Sequence, residues 1–132
     1  PAPMATYTIQ DINTGLFATS PAIVGEPIQF TDPTDEDNQK VLLMWVIPDL
    51  GNGVSTISST AAEAFAWVEQ PSFVSANVVT NLAERPWVID LDGDQGTIRA
   101  EDDTNLVWAI DANNVMAVPL FMDHYSYKFL NF

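Results

Sequence analysis

The sequence predicts an all-β chain of twelve strands, arranged as three copies of one unit of about 42 residues and closed into a barrel. Three observations predict it. Trp45-Val-Ile47, Trp87-Val-Ile89 and Phe129-Leu130 place an aromatic before aliphatic residues 42 positions apart, twice, in a chain of 132. Ile9, Ile57 and Ile98 are each followed eight residues later by a large apolar side chain: Phe17, Phe65 and Leu106. Short apolar runs separated by Gly, Pro, Asn and Asp fill the remainder, which is the chemistry of strands and turns. Three copies of four strands suit a closed barrel, because closure leaves no sheet edge open to aggregation.

The first copy, residues 6–50, has expected strands at 7–10, 16–19, 28–31 and 41–47. Asn13-Thr14-Gly15 supplies its first turn, Pro21, Pro27 and Pro33 punctuate it, and the acid-rich stretch 32–37 reads as an exposed loop. The second copy, 51–93, has expected strands at 54–58, 65–68, 76–79 and 86–91. Within it, Thr60-Ala-Ala-Glu63 has the form of a capping box opening an alanine-rich helix. Register with the other copies makes the same residues a turn into a strand, and the strand is the expectation kept. The third copy, 94–132, gives 97–100, 106–110, 115–120 and 127–132. The same spacing assigns Trp45, Trp87 and Phe129 to the core and matches Trp67 with Trp108, where the first copy has Thr19.

Composition narrows the function. With 47% apolar residues the chain supports one domain, 1–132, with a substantial core. Eighteen acidic against four basic residues give a net charge of −14, which repels nucleic acid and anionic membranes alike. No apolar run approaches the roughly 20 residues a bilayer requires. The first residues show no secretory signal, so a cytoplasmic location is expected. Without cysteine there are no disulfides and no thiolate chemistry. His124 is the only histidine, so a Ser-His-Asp arrangement would depend on it and the nearby Ser126; a solvated turn is the expected role, with no catalysis and no cofactor.

Tyr7-Thr-Ile9, Met44-Trp-Val-Ile47, Pro86-Trp-Val-Ile89 and Leu106-Val-Trp-Ala-Ile110 resemble the compact β-trefoils of mushrooms. That group includes ricin-B-like lectins, small protease inhibitors and the lectin-like light subunit that accompanies mushroom tyrosinase. The resemblance spans the chain and implies a β-trefoil fold. It leaves three functions open: carbohydrate binding, protease inhibition, or a noncatalytic subunit bound to an enzyme. The partners are accordingly glycans or glycoproteins, a protease, or an enzyme subunit. The Gln-x-Trp signature of the wider ricin-B class is absent, since Leu43-Met-Trp45 and Arg85-Pro-Trp87 stand in its place.

The lectin reading has the most residues behind it. Ile57-Ser-Ser59, Ala64-Phe-Ala-Trp67 and Asn77-Val-Val-Thr80 leading to Trp87 resemble the arrangement of one type of small mushroom trefoil lectin, and the resemblance implies a sugar-binding role for Trp67. An aromatic face covers the C–H face of a pyranose while carboxylates and amides bond its hydroxyls. Trp67 with Glu69 and Asn81, and Trp108 with Asp111 and Asn113, offer both halves of that chemistry. Asp90, Asp92 and Asp94 have the alternation of a calcium loop, but Gln95 interrupts it before Gly96 and no helices flank it, so a hairpin is expected. Glu101, Asp102 and Asp103 read as a solvated turn. For inhibition, Lys40, Arg85, Arg99 and Lys128, or Asn38, Asn52 and Asn77, would be presented to a protease; for a subunit, Phe73, Phe121 and Met122 would form the apolar contact.

Overall fold

The computed structural model describes residues 6–32, 41–69, 76–102, 104–111, 114–119 and 126–131. They form strands β1 (Thr6–Asp11), β2 (Phe17–Thr19), β3 (Gln29–Thr31), β4 (Trp45–Val46), β5 (Val54–Ser55), β6 (Ser58–Ser59), β7 (Ala64–Trp67), β8 (Val79–Asn81), β9 (Trp87–Asp92), β10 (Gln95–Ala100), β11 (Leu106–Asp111), β12 (Asn114–Pro119) and β13 (Tyr127–Asn131). All twelve expected strands have a counterpart. The one expected at 54–58 is broken into β5 and β6, because the Ile57 carbonyl accepts from Ala66 N–H at 2.7 Å as the chain passes from β9 to β4 and β7. The strand expected at 41–47 shrinks to β4, preceded by a single 3₁₀ turn at 41–43. Residues 60–63 form the turn into β7, with Ser59 Oγ accepting from Ala62 N–H at 3.1 Å.

The pairings close a ring. β1 lies between β4 and β13, β4 pairs with β6, β5 with β9, β9 with β10, and β10 with β13, so six strand positions make a barrel. The hairpins β2–β3, β7–β8 and β11–β12 complete the three copies. They meet in a cyclic set of backbone bonds: Ile28 N–H to Val78 O at 3.0 Å, Val78 N–H to Val115 O at 2.9 Å, and Val115 N–H to Ile28 O at 3.0 Å. This ring is why β3 and β8 begin later than expected, since Ile28 and Val78 donate around the axis rather than along a strand ladder. A six-stranded barrel with three hairpins joined on a threefold axis is the β-trefoil.

The same axis corrects the third copy. The pairs Gln10↔Phe17, Ser58↔Phe65 and Arg99↔Val107 are equivalent, so the partner of Phe17 and Phe65 is Val107 and not Leu106. One additional residue between β10 and β11 shifts the register, and a shift of one moves a side chain to the opposite face. Trp108 therefore corresponds to Ala18 and Ala66, both fully buried, and not to Trp67. Likewise Tyr7↔Trp45, Ser55↔Trp87 and Gly96↔Tyr127 are equivalent, so Tyr127 takes the place of the two tryptophans and Phe129 that of Ile47 and Ile89.

Hydrogen bonds confirm these assignments. Trp45 Nε1 donates to Ala18 O at 3.0 Å, Trp87 Nε1 to Ala66 O at 3.0 Å, and the Tyr127 hydroxyl to Trp108 O at 2.9 Å. Each aromatic fills the core with its ring and satisfies a buried carbonyl with its polar end. In the first hairpin the small Ala18 of β2 is in register with the large Phe30 of β3, whereas in the third copy the position equivalent to Ala18 carries the large Trp108. Trp108 packs edge-on against Trp87, with ring centroids 5.5 Å apart, and against Tyr127 at 6.4 Å. Ile9, Ile57 and Ile98 are fully buried beneath this layer.

Candidate carbohydrate site

Trp67 ends β7 half-buried, in register with Val79 of β8. Directly opposed residues of antiparallel strands share a face, as do residues two apart. Trp67, Val79, Phe65 and Asn81 are therefore on one side of this hairpin. Asn81 is half-buried and its Oδ1 accepts from Ala83 N–H at 2.9 Å, which fixes its amide plane. Glu69 is exposed two residues beyond Trp67.

Trp108 does not join them. It is wholly buried, its ring is covered by Trp87 and Tyr127, and no sugar reaches it. The one-residue register shift places it inside, and its Nε1 has no hydrogen-bond partner among the described residues. Asp111 closes β11 opposite Asn114, and Asn113 lies outside the described residues. The second group expected for sugar binding thus has no exposed aromatic at its centre.

Sequence reasoning missed a cleft of about 250 Å³ beside the first hairpin, walled by Thr19, Ser20, Pro21, Glu26, Pro27 and Gln29. Thr19 and Gln29 are opposed across β2 and β3, and Pro27 shares their face. An isolated bridge joins Pro27 to Val79, the strand partner of Trp67. One row of residues thus runs from the polar cleft through Pro27 and Val79 to the indole of Trp67. Thr19 is the structural counterpart of Trp67, so the cleft exists where the first copy has a hydroxyl in place of an indole. The signal was visible as the missing aromatic at Thr19, although the closing role of the 21–27 loop was not.

The cleft is held open by specific bonds. Thr19 Oγ1 and Thr31 Oγ1 are 2.6 Å apart, and Ser20 Oγ accepts from Ser59 Oγ at 2.6 Å while donating to Pro21 O at 2.8 Å. Glu26 and Gln29 are exposed at its rim, so a carboxylate and a side-chain amide line its opening. This combination suits a neutral, hydroxyl-rich ligand.

Asp92 pairs with Gln95 across the two-residue turn Gly93-Asp94, so the acidic motif is a hairpin, with Gly93 at φ 71°. Asp90 pairs with Arg99 at 3.1 Å, and among the described residues no three acidic or histidine side chains gather as a metal site requires. The hairpin also borders a mainly polar cleft of about 390 Å³ that includes Leu91, Thr97 and Ser126.

Arg85, a candidate for presentation to a protease, is instead 4% exposed. Its Nε donates to Val68 O at 3.1 Å and its Nη2 meets Asp102 Oδ1 at 2.8 Å, so Asp102 is an ion-pair partner rather than part of a freely solvated turn. Replacing Arg85 with Ala is expected to cost about 2 kcal/mol in chemical unfolding, less than a fully buried pair because the Asp102 carboxylate remains partly hydrated. A loss below about 0.5 kcal/mol would show that the bond to Val68 O carries nothing. Lys128 is half-buried on β13, while Asn52 and Asn77 are exposed. Lys40, Asn38, Phe73, Phe121, Met122, Asp103 and His124 lie outside the described residues.

No protein family and no curated protein sequence matches the chain. Solved structures do. The Rhizoctonia solani agglutinin has 22% identity and a TM-score of 0.79, covering 100% of this chain and 98% of its own. ThreeFoil, a designed threefold-symmetric protein, has 15% identity and a TM-score of 0.78 over 96% of this chain and 99% of its own. The Macrolepiota procera ricin B-like lectin, solved in complex with lactose, has 15% identity and a TM-score of 0.75 over 98% and 96%. The chain is a β-trefoil, similar in fold to proteins that include an agglutinin and a ricin B-like lectin.

Proposed function

We propose that this β-trefoil is a carbohydrate-binding, lectin-like protein that acts without a chemical step. The observation that carries the reading is the continuous row joining the polar cleft of Thr19, Glu26 and Gln29 to the indole of Trp67 through Pro27 and Val79. A saccharide would set hydroxyls against the carboxylate and amide of the cleft and a C–H face against the indole. Glu69 and Asn81 flank that indole and complete the proposed surface. The lactose held by the Macrolepiota procera neighbour makes β-galactosides the first ligand class to test.

A glycan array followed by calorimetric titration with lactose tests the reading. Trp67→Ala and Gln29→Ala are each expected to weaken binding by about tenfold, the loss of one stacking or one polar contact to the sugar. The melting temperature of Gln29→Ala should stay near that of wild type, since the residue is exposed. Absence of binding to every glycan, or affinity unchanged in both variants, would overturn the reading.

A further inference from the structure

The loop from Ser20 to Ile28 faces two ways. Pro21, Glu26 and Pro27 wall the cleft, whereas Ile23 and Val24 between them stand in water at 67% and 40% exposure. Leu82, on a segment far away in sequence, is 73% exposed, more than any other large apolar residue among those described. The two segments are clamped together. Gly25 N–H donates to Thr80 O at 2.8 Å and to Thr80 Oγ1 at 3.1 Å, Thr80 N–H donates to Glu26 O at 3.1 Å, and the Thr80 hydroxyl donates to Ile23 O at 3.5 Å.

A single exposed Leu or Ile requires no explanation. Here the fold holds the two most exposed ones on one edge, with the fully buried Thr80 as the fastening point. The edge begins two residues from the cleft wall, a reach of about 7 Å along the chain. An ordered apolar edge continuous with a polar cleft fits one ligand that is polar at one end and apolar at the other. A second copy of the chain fits poorly, because a twofold contact would bring together two patches that each carry exposed Glu26 and Glu84, in a protein of net charge −14.

We propose that Ile23, Val24 and Leu82 form an aglycone subsite, so that the site prefers a glycoside whose sugar carries an apolar substituent over the same sugar without one. The proposal rests on the reading of the cleft as a sugar site. The sugar occupies the cleft and its substituent lies along the edge, removing apolar surface of both from water.

Titration of the whole chain with methyl β-lactoside, octyl β-lactoside below its micellar concentration, and the sugar-free octyl tetraethylene glycol ether decides it. Octyl β-lactoside is expected to bind about tenfold more tightly than methyl β-lactoside, and the double variant Ile23→Ser, Leu82→Ser should lose that advantage while binding methyl β-lactoside as wild type does. Both positions are exposed, so the melting temperature of the double variant reports whether the fold is intact. Equal affinity for the two lactosides, an advantage that survives the double substitution, or equally tight binding of the sugar-free ether would each overturn the subsite while leaving the sugar site standing. If neither lactoside binds, the galactoside reading falls and the subsite falls with it.

Discussion

Replacing Trp87 with Ala is expected to lower the unfolding free energy by about 4 kcal/mol, measured by urea denaturation. Trp87 is 1% exposed, and three separate contributions vanish with its ring. The largest is the transfer of the indole out of water together with the cavity it leaves, which the barrel strands on either side cannot close without breaking their ladders. The edge-on contact with Trp108 at 5.5 Å is lost, and Ala66 O loses its donor at 3.0 Å. The smaller change Trp87→Phe keeps a ring but leaves a smaller cavity and an unpaired buried carbonyl, at an expected cost of about 1–3 kcal/mol. Tyr127→Phe removes the corresponding donor to Trp108 O and should cost a similar amount. If Tyr127→Phe were neutral, the hydroxyl bond to Trp108 O would contribute nothing net to stability. A loss below about 2 kcal/mol for Trp87→Ala would mean that the core closes over the gap.

The threefold arrangement is legible in the sequence because it rests on buried apolar positions, and these recur with a period. Ile9, Ile57 and Ile98 are all fully buried, and the strand of 64–67 follows from register despite its helical composition. What the spacing misled was the third copy. A 42-residue interval from Trp87 lands on Phe129, whereas the structural counterpart is Tyr127, two residues earlier. The pattern that distinguishes them is chemical: Trp45-Val-Ile47 and Trp87-Val-Ile89 match Tyr127-Lys-Phe129 as an aromatic with a polar end, a spacer, and a large apolar residue. Only Trp and Tyr can both fill the core and donate to the buried carbonyl beneath, so Phe129 could not serve in that role.

The site was less legible for a related reason. A half-buried and a wholly buried tryptophan differ by one residue of register, and the stretch from Arg99 to Val107 is one residue longer than its counterparts from Gln10 to Phe17 and from Ser58 to Phe65. Spacing from Ile98 therefore paired Trp108 with Trp67, although the fold sets them on opposite faces. The cleft beside Thr19 depends on how the 21–27 loop is fastened to Thr80, a contact 55 residues away in sequence between Gly25 and Thr80, and no local pattern announces such a contact. Trp67 alone carried a local signal that led to an accessible aromatic.

Gly96→Ala is expected to destabilise the protein by about 3 kcal/mol, although Ala is the smallest change available at that position. Its backbone is not in the left-handed region, so conformational freedom is not the cause. The cause is close approach: a Cβ at Gly96 would stand 1.8 Å from the Asp90 carbonyl oxygen and 2.8 Å from its carbon. Both are backbone atoms, and neither can turn aside as a flexible side chain would. Gly96 is also held from both sides, opposite Leu91 in β9 and Tyr127 in β13, so β10 cannot retreat without opening one ladder or the other. The equivalent positions in the other copies are Tyr7 and Ser55, so the glycine is a local requirement of the β9–β10 hairpin and not a rule of the fold. Gly51→Ala supplies the control: its φ of 96° strains any Cβ, yet nothing lies within 4 Å of that atom. That variant should cost about 1 kcal/mol, the price of the left-handed backbone alone. Parallel denaturant titrations of the two variants therefore separate collision from backbone strain. If Gly96→Ala lost no more stability than Gly51→Ala, the hairpin would have to be loose enough for β9 and β10 to part, and the ladder from Trp87 to Ala100 would not be the rigid wall of the barrel that its six paired positions describe.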